Sequence, residues 1–378
     1  MIITNCAACA APLAHDTPRC VRCKTRYCNS TCQHDHWRRG HKQICKKIHR
    51  GGNAEQYHAD TKYKEAVKVA VEACADDTKG QTCYICTEAL HWKTKEGLVR
   101  MCACRGTAGF AHLSCLAEQA KLLFEEVEEN NLDNKQRTER WHRWHTCGLC
   151  EQEHHGVVRC ALGWACWKTY VDRPEENSVR PCAMSVLGTA LLAAGHTKDA
   201  LSVQEAELSM RQRLGDSEQQ MLIVQSNIAS SYQMLGQFEQ AVPIERDVYS
   251  RRLKLLGKEH GDTLISANNY ATSLIRLQRF EEAKELLRKM TPVARRVLGE
   301  ATEVTLRMRL NYTEALYSDD HATLDNLREA VTTIEDVERT ARRVFGGAYP
   351  LVRDVENSLQ YSRAALRARE TPPPPRST

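Results

Sequence analysis

The chain has 378 residues, of which 27% are charged and only 6% aromatic, and its formal net charge is +5. This balance favours a helix-rich soluble protein over a dedicated nucleic-acid binder. No apolar run approaches the roughly 20 residues that span a bilayer. The N-terminus MIITNCAACA lacks the basic and apolar regions of an export signal. We therefore expect a cytoplasmic or nuclear protein without a membrane span.

The 18 cysteines are concentrated in closely spaced pairs near the N-terminus, where they are mixed with histidines. A disulfide scaffold requires an oxidising compartment, which the missing export signal does not support. Reduced thiolates that bind metal explain the pattern better.

Four pairs of candidate ligands follow one another in residues 6–45. A two-residue gap lets a turn aim both side chains at one tetrahedral zinc, and a three-residue gap places them on successive helical turns. Eight ligands make two closed structural sites, whose binding energy of about 10–16 kcal/mol per zinc folds such a segment. The pairs are Cys6–Cys9, Cys20–Cys23, Cys28–Cys32 and His41–Cys45.

The stretch RYCNSTCQHDHWRRGHKQIC, residues 26–45, resembles the C-terminal half of a MYND zinc finger in both spacing and intervening residues. The resemblance covers residues 6–45 and implies a protein-interaction module, often for short proline-containing peptides. It also implies interleaved ligands, which leaves His34 and His36 spare. The implied sites are Cys6, Cys9, Cys28 and Cys32 for one zinc, and Cys20, Cys23, His41 and Cys45 for the other.

This first finger is strongly basic, with ten lysines and arginines against Asp16 and Asp35 in residues 1–50. One interpretation is attraction to acidic partners or nucleic acid. The other is a solvated surface. Aromatic residues for base stacking are nearly absent, so nucleic acid is not favoured as a partner.

A second group of eight candidate ligands occupies residues 83–150, again as four pairs with a single histidine. Eight ligands make two further closed sites, so we expect four Zn²⁺ ions per chain. The pairs are Cys83–Cys86, Cys102–Cys104, His112–Cys115 and Cys147–Cys150.

The stretch CACRGTAGFAHLSCL, residues 102–116, resembles a RING-CH finger (C4HC3). The similarity lies in the closely spaced pair Cys102-x-Cys104 and in the seven residues that separate Cys104 from His112. The resemblance covers residues 83–150 and implies E3 ubiquitin ligase activity. Such a finger supplies no nucleophile, and instead holds the thioester of an E2 in a reactive geometry. Ile85 matches the hydrophobic residue that contacts the E2. The implied zinc sites are Cys83, Cys86, His112 and Cys115, and Cys102, Cys104, Cys147 and Cys150.

Two features depart from that family. A segment of 31 residues separates Cys115 from Cys147, and we expect it to extend a helix outward with solvated charges. Glu151 follows Cys150, where many active RING ligases place Lys or Arg. The alternative to a ligase is therefore a non-enzymatic zinc-finger and repeat adaptor. A third hypothesis, DNA binding through the first finger, predicts steeply salt-dependent affinity.

The C-terminal half repeats with a period of 42 residues, which is marked by Gly215, Gly257 and Gly299. Each unit reads as two amphipathic helices, and one pair cannot bury its own apolar stripe. Four to five units therefore stack into an α-solenoid. The pattern resembles the tetratricopeptide repeats of kinesin light chains, which implies a concave groove for extended peptides.

Three asparagines recur at the same period, where a side chain could bond either a bound peptide or a neighbouring helix. Basic residues on the second helices similarly indicate either acidic ligands or a solvated face. The asparagines are Asn227, Asn269 and Asn311.

Taken together, the sequence predicts a mainly α protein with two small cross-brace zinc-binding domains followed by an α-solenoid. No glycine-rich phosphate loop, nucleophile elbow or HExxH motif indicates metabolic catalysis or a small-molecule substrate. The predicted boundaries are 1–50 for the first finger, 51–80 for a linker with a short helix, 81–156 for the second finger, 157–182 for a connector, 183–368 for the repeats and 369–378 for a proline-rich tail.

Overall fold

Helices dominate the protein. The structure, a computed structural model, describes residues 5–11, 13 and 17–370. Within these residues extended pairing is limited to isolated bridges, of which Val99 with Ala111 is one. The predicted mainly α fold, with two small zinc-binding domains and a helical solenoid, is confirmed. The chain divides into two compact units, residues 1–217 and 218–378, while the proline-rich tail beyond 370 lies outside the described residues.

The first finger ends in a helical segment that carries three of its eight candidate ligands, Cys32, His41 and Cys45. Asn29 caps the first helix, because its side chain accepts a hydrogen bond from the backbone N–H of Cys32 at 2.8 Å. Gly40 breaks the helical path with φ 126°, a conformation that favours glycine. The elements are α1 (Ser30–His36), a π-helical turn (Trp37–His41) and α2 (Lys42–Arg50).

The linker after the first finger is a single helix of 21 residues, α3 (Ala54–Cys74), which is longer than predicted. Asn53 caps its N-terminus through the backbone N–H of Gln56 at 3.0 Å. The segment is rich in Ala, Lys and Glu, which all have high helix propensity, so the helix extends through most of the linker. Its buried alanines, Ala54, Ala59 and Ala70, lie in three different core clusters of the first unit.

The 31-residue insert in the second finger packs against a later segment of the first unit, near Tyr170 and Arg173. It forms α4 (Leu113–Glu129), α5 (Asn134–Trp141) and a short 3₁₀ turn. The ring of Phe124 lies 4.8 Å from that of Trp141 and 5.9 Å from that of Tyr170. Glu128 accepts two hydrogen bonds from Arg173, at 3.1 and 2.8 Å. The expectation of an outward helix is therefore wrong, because aromatic burial folds the insert back. The expected solvation holds for Glu126 and Glu129, which are exposed.

The connector joins the second finger to the first helix pair of the repeats. It consists of α6 (Gly156–Tyr170), which packs on α7 (Val179–Ala193), and α8 (Thr197–Leu214) follows. Trp164, Trp167 and Tyr170 lie in one buried cluster with residues of α7 and α8. At Gly163 a Cβ atom would meet the Cβ of Ala190 at 2.4 Å, so only glycine permits this close crossing.

The second unit is built of stacked helix pairs. Small alanines at the crossings, such as Ala229, Ala241, Ala271 and Ala283, are fully buried and let the helices approach closely. Each first helix also contacts the next first helix, which forms a continuous layer. The helices are α9 (Glu218–Met234), α10 (Phe238–Leu256), α11 (Gly261–Arg276), α12 (Phe280–Val297), α13 (Glu303–Tyr317), α14 (Leu324–Phe345) and α15 (Pro350–Glu370).

Among the residues that the structure describes, no helix combines the length and the apolar character needed to cross a membrane.

Candidate functional site

The structure brings the sixteen candidate ligands together in four groups of four. In every group the ligand atoms lie within 4.8 Å of one another. The groups are Cys6, Cys9, Cys28 and Cys32; Cys20, Cys23, His41 and Cys45; Cys83, Cys86, His112 and Cys115; and Cys102, Cys104, Cys147 and Cys150.

Distances inside the first finger match the edges of a zinc tetrahedron. Zinc–sulfur bonds of about 2.3 Å place two thiolates about 3.8 Å apart. The sulfurs of Cys20 and Cys45 are 3.8 Å apart, and those of Cys9 and Cys28 are 3.3 Å apart. The Nε2 atom of His41 lies 3.3 Å from the Cys23 sulfur.

Backbone turns hold the C-x-x-C pairs in place. At Cys20 the backbone N–H donates to the carbonyl of Thr25 at 2.7 Å, and its own carbonyl accepts from the N–H of Lys24 at 2.9 Å. The turn requires a left-handed residue, and Lys24 has φ 62°. The same pattern recurs at Cys83, where Thr87 has φ 64°, and at Cys147, where Glu151 has φ 57°. We call each of these turns a knuckle.

In the second finger, the imidazole ring of His112 is oriented by a contact between its Nε2 atom and a backbone carbonyl, on the side of the ring opposite the cysteine ligands. The Nδ1 atom of His112 lies 3.3 Å from the Cys86 sulfur and 3.6 Å from the Cys115 sulfur. Its Nε2 atom lies 3.4 Å from the carbonyl of Ala89. If the Nε2–H donates to that carbonyl, Nδ1 is left free to bind metal.

The remaining group of the second finger depends on a glycine. Cys104 and Cys147 have sulfurs 3.7 Å apart. Gly109 has φ 85°, and a Cβ there would lie 2.6 Å from the Cβ of Cys104. A hydrogen bond with the Cys102 side chain lowers the pKa of the Cys147 thiol to about 4.

The donor sets and their spacing fit zinc. Thiolate sulfur and imidazole nitrogen at tetrahedral separations are the donors of structural zinc sites. All four groups provide four protein ligands, so no position is open for a substrate or a reactive water. These four groups fit four zinc ions, as the sequence predicted, and their role is structural.

The spare histidines lie outside these groups. His34 is exposed. The Nδ1 atom of His36 is hydrogen-bonded to the hydroxyl of Tyr27 at 3.0 Å, and its ring lies 4.8 Å from that of His41. His36 therefore packs beside a candidate ligand and supports its orientation.

Ile85 lies on the first knuckle of the second finger, where it is half-buried. The last knuckle of that finger is adjacent, since a Cβ at Gly148 would lie 3.6 Å from the hydroxyl of Tyr84 and 3.8 Å from the side-chain oxygen of Gln119. Leu149, at the tip of the last knuckle, is 52% exposed.

Leu122 belongs to the same region, because it follows Gln119 by one turn on α4 and is 55% exposed. We call Ile85, Leu149 and Leu122 the apolar knuckle face. The sequence pointed only to Ile85. Leu149 holds the same third position in its C-x-x-C pair, which is the signal that could have identified it.

The three repeating asparagines have different environments. Asn227 and Asn269 are half-buried, and the Asn269 backbone carbonyl accepts a hydrogen bond from Gln233 at 2.9 Å. The Asn311 amide donates to the Asn268 side-chain oxygen and to the Thr272 hydroxyl, both at 2.9 Å. The Asn311 side chain thus bonds the neighbouring first helix.

Asn311 also lines a cavity of about 410 Å³ on the first helices of the second unit. Its walls are mainly polar and carry both charges, and Arg276 is paired with Glu314 at 2.7 Å. The cavity is also lined by Asn268, Arg307, Tyr317 and Tyr361.

The basic residues of the second helices are largely neutralised within the second unit. Lys284 lies within 3.0 Å of Asp319, and Arg251 within 2.8 Å of Glu218. Arg252 is buried and donates to the Asp262 carbonyl and the Ser266 hydroxyl. Lys289, Arg295 and Arg296 are likewise paired with glutamates.

Comparisons with known proteins identify three kinds of domain. Residues 6–45 match the family model of the MYND finger, residues 83–131 match the RING-variant domain, and residues 220–296 match the tetratricopeptide repeat. The RING-variant match ends before Cys147, in the loop between α4 and α5.

Two curated proteins share short segments with this chain. Ubiquitin carboxyl-terminal hydrolase 17 of Arabidopsis thaliana is 45% identical over 56 residues, which are 15% of this chain and 7% of that protein. Ubiquitin C-terminal hydrolase 15 of Oryza sativa subsp. japonica is 51% identical over 44 residues, which are 11% of this chain and 4% of that protein. The chain thus spans a small fraction of these relatives' lengths.

Two solved structures resemble the chain over a longer range. A putative kinesin light chain of Podosopora anserina with nearly identical TPR-like repeats is 19% identical, with a TM-score of 0.39, and the match covers 61% of this chain and 97% of that one. BtubC (BKLC) from P. vanneervenii is 17% identical, with a TM-score of 0.36, and the match covers 70% of this chain and 96% of that one.

The family models and the ligand geometry agree on the nature of the molecule. The chain carries a MYND finger, a RING-variant domain and tetratricopeptide repeats, and it is a zinc-binding, multi-domain protein that interacts with other proteins.

Proposed function

We propose that this protein is an E3 ubiquitin ligase, in which the second finger holds an E2 while the first finger and the repeats bind substrates. The observation that carries the proposal is the apolar knuckle face. Half-buried Ile85 and exposed Leu149 lie on adjacent knuckles of two zinc groups, and exposed Leu122 lies one helical turn beyond Gln119 on α4. Exposed apolar side chains that are grouped in one region of a surface mark protein-interaction sites.

The catalytic contribution of such a surface is positional. Contact with an E2 removes the exposed parts of Leu149 and Leu122 from water, and full burial of a leucine contributes about 1.5–3 kcal/mol. The zinc groups fix both knuckles, so little conformational entropy is lost on binding. The E2 thioester is then held for attack by a substrate lysine, and the ligase supplies no nucleophile.

The first test is discharge of ubiquitin from a thioester-charged E2 panel by the full-length, zinc-loaded chain. Leu149→Ala and Ile85→Ala are expected to lower the discharge rate at least tenfold with the responsive E2. Val21→Ala is the matched control, because Val21 is an exposed apolar residue on a knuckle of the other finger. It should leave the rate unchanged.

Leu149 gives the cleaner variant, because its side chain is largely exposed and its loss leaves the core intact. Zinc content and helicity must match the parent in every variant. A discharge rate that equals the rate without the protein, together with no detectable E2 binding by titration, would refute the ligase proposal.

The second candidate is a non-enzymatic adaptor, and Glu151 favours it. This residue adopts the left-handed position of the last knuckle with φ 57° and is exposed beside Cys150. An acidic residue there cannot donate hydrogen bonds to a bound ubiquitin as Lys or Arg would. Glu151→Arg raises the discharge rate if the protein is a ligase, and it has no effect on an adaptor.

We also propose that the second finger extends to residue 156, beyond the matched family model, since Cys147 and Cys150 complete its second zinc group. Reduced zinc ligands fit a reducing compartment, the cytoplasm or the nucleus. Removal of residues 147–150 should lower the zinc content from four to three per chain.

For the repeats we propose a peptide groove on the first helices, in which Asn227 and Asn269 bond the peptide backbone. Asn311 supports the groove by holding Asn268 and Thr272. Peptides selected on the full-length chain from a displayed random library should lose affinity for Asn269→Ala at unchanged stability. Equal affinity for that variant would remove the asparagines from the recognition surface.

A further inference from the structure

The first finger exposes an unusual density of positive charge. Within residues 17–50 the structure describes ten basic residues and a single acidic one, Asp35. Arg26 is half-buried, and the other nine are exposed. These nine are Arg19, Arg22, Lys24, Arg38, Arg39, Lys42, Lys46, Lys47 and Arg50.

These exposed cations lack carboxylate partners among the residues that the structure describes, where every ion pair begins beyond the finger. Lys47 makes only a distant contact with the ring of Tyr57, at 6.0 Å. The exposed Arg295 and Arg296 of the second unit are both paired with glutamates. The finger is therefore a region of uncompensated charge on a protein that otherwise pairs most of its cations.

The zinc groups account for only part of this excess. Ten basic residues against Asp16 and Asp35 give residues 1–50 a formal charge of +8. A zinc ion with four thiolates carries −2, and one with three thiolates and a histidine carries −1. The loaded finger retains about +5 after both groups are included. Neutralising the negative charge of the two zinc–thiolate groups therefore requires only part of the finger's positive charge.

Two exposed apolar side chains lie among these cations. Val21 is 87% exposed and adjoins Cys20, while Ile44 is 45% exposed and adjoins Cys45. The sulfurs of those two cysteines are 3.8 Å apart, so the zinc group brings the knuckle and α2 together.

Basic residues flank both apolar side chains. Arg22 and Lys24 lie on the knuckle of Val21, and Lys47 follows Ile44 by one helical turn. We call Val21, Arg22, Lys24, Ile44 and Lys47 the basic finger face.

We propose that the basic finger face binds an acidic peptide segment that also carries apolar side chains. Unpaired lysines and arginines attract carboxylates, and Val21 and Ile44 contribute by burying apolar side chains of the same segment. A nucleic-acid backbone would satisfy the cations but leave both apolar residues without partners. This surface belongs to the first finger and does not depend on E2 binding by the second.

The test uses the full-length, zinc-loaded chain and fluorescence anisotropy of labelled probes. The first probe is a twelve-residue peptide that alternates Glu or Asp with Leu, and the second replaces every acidic residue by Gln or Asn. A 20-base-pair DNA duplex is the third. The parent should bind the acidic peptide at least tenfold more tightly than either other probe in 50 mM salt, and more weakly in 300 mM salt.

Two variants separate the charge from the apolar contribution. Arg22→Glu combined with Lys47→Glu should weaken peptide binding at least tenfold, and Ile44→Ala should weaken it several-fold. The control is Lys68→Glu combined with Lys79→Glu, which makes the same charge change at exposed sites outside the finger. Zinc content must remain at four per chain.

Three results would overturn the proposal. The first is equal binding of the acidic and neutral peptides, which includes absence of binding by both. The second is equal loss of affinity in the face variant and the control variant. The third is tighter binding of the DNA duplex than of the acidic peptide, which would assign the face to nucleic acid. E2 discharge is measured separately and is unaffected by these variants if the two surfaces are independent.

Discussion

Glu245 on α10 provides a quantitative test of how the repeats are packed. Its side chain is only 3% exposed, and one carboxylate oxygen accepts a hydrogen bond from Gln233 at 2.7 Å. The other oxygen has no partner among the described residues. Burial raises the pKa of Glu245 from 4.5 to about 7, although the side chain of Ser273 opposes the shift.

The sign of the pH dependence follows from this raised pKa. Between pH 4.5 and 7 the folded protein keeps a proton that the unfolded chain has lost. The stability of the neutral form is fully present below pH 4.5 and is lost as the pH rises through 7. The shift corresponds to about 3 kcal/mol, of which about 2 kcal/mol falls between pH 5 and pH 8.

Glu245→Gln removes this titration while keeping an oxygen that can accept from Gln233. We expect the parent to lose about 2 kcal/mol more than the variant in local stability between pH 5 and pH 8. Amide hydrogen exchange of peptides from α10 and α11 measures this local stability at each pH. The candidate zinc ligands lie in residues 6–150, so pH effects on zinc binding are common to both proteins.

Glu239→Gln is the control, since Glu239 is exposed on the same helix. It should give the same pH profile as the parent. Parallel profiles for the parent and Glu245→Gln, or a parent that gains stability toward pH 8 relative to the variant, would refute the assignment of a buried, neutral carboxyl group.

Three further perturbations test other parts of the structure. Cys104→Ser should lower the zinc content from four to three per chain, measured by elemental analysis, and a loss of two or more ions would contradict independent sites. Gly163→Ala forces a Cβ against Ala190, so thermal unfolding should show a loss of about 1–3 kcal/mol, and an unchanged midpoint would argue against the close crossing of α6 and α7. Arg180→Ala leaves its half-buried partner Glu55 unpaired and should cost about 1–3 kcal/mol, which urea unfolding of the first unit would detect. A cost below 0.5 kcal/mol, about the lower end for a single hydrogen bond, would show that this pair is not maintained.

The zinc groups were predictable from sequence because metal coordination imposes short, fixed spacings. A C-x-x-C pair determines its own knuckle, and the alternation of pairs in these finger families determines which knuckles share an ion. The 42-residue period likewise predicts helix pairs, since each pair exposes an apolar stripe that only a neighbour can bury. These properties are local or periodic, and so they appear directly in the order of residues.

Contacts between distant segments were decided only by the tertiary structure. Leu149 is a candidate for E2 binding because Gly148 lies beside Tyr84, which places the last knuckle next to the knuckle of Ile85. Asn311 matches Asn227 and Asn269 in the repeat, yet its amide is engaged by α11. Equivalent positions in a repeat can therefore differ in function, because their neighbours differ.

Charge shows the same division between sequence and structure. Composition gives the numbers of lysines and arginines, but their availability depends on which carboxylates reach them. Arg296 is paired with Glu259, 37 positions away, whereas Lys46 on the first finger has no such partner among the described residues. The sequence alone determined that the protein binds zinc and forms repeats. Only the fold decided which surfaces remain free to bind other molecules, because ion pairs and burial depend on residues that are far apart in the chain.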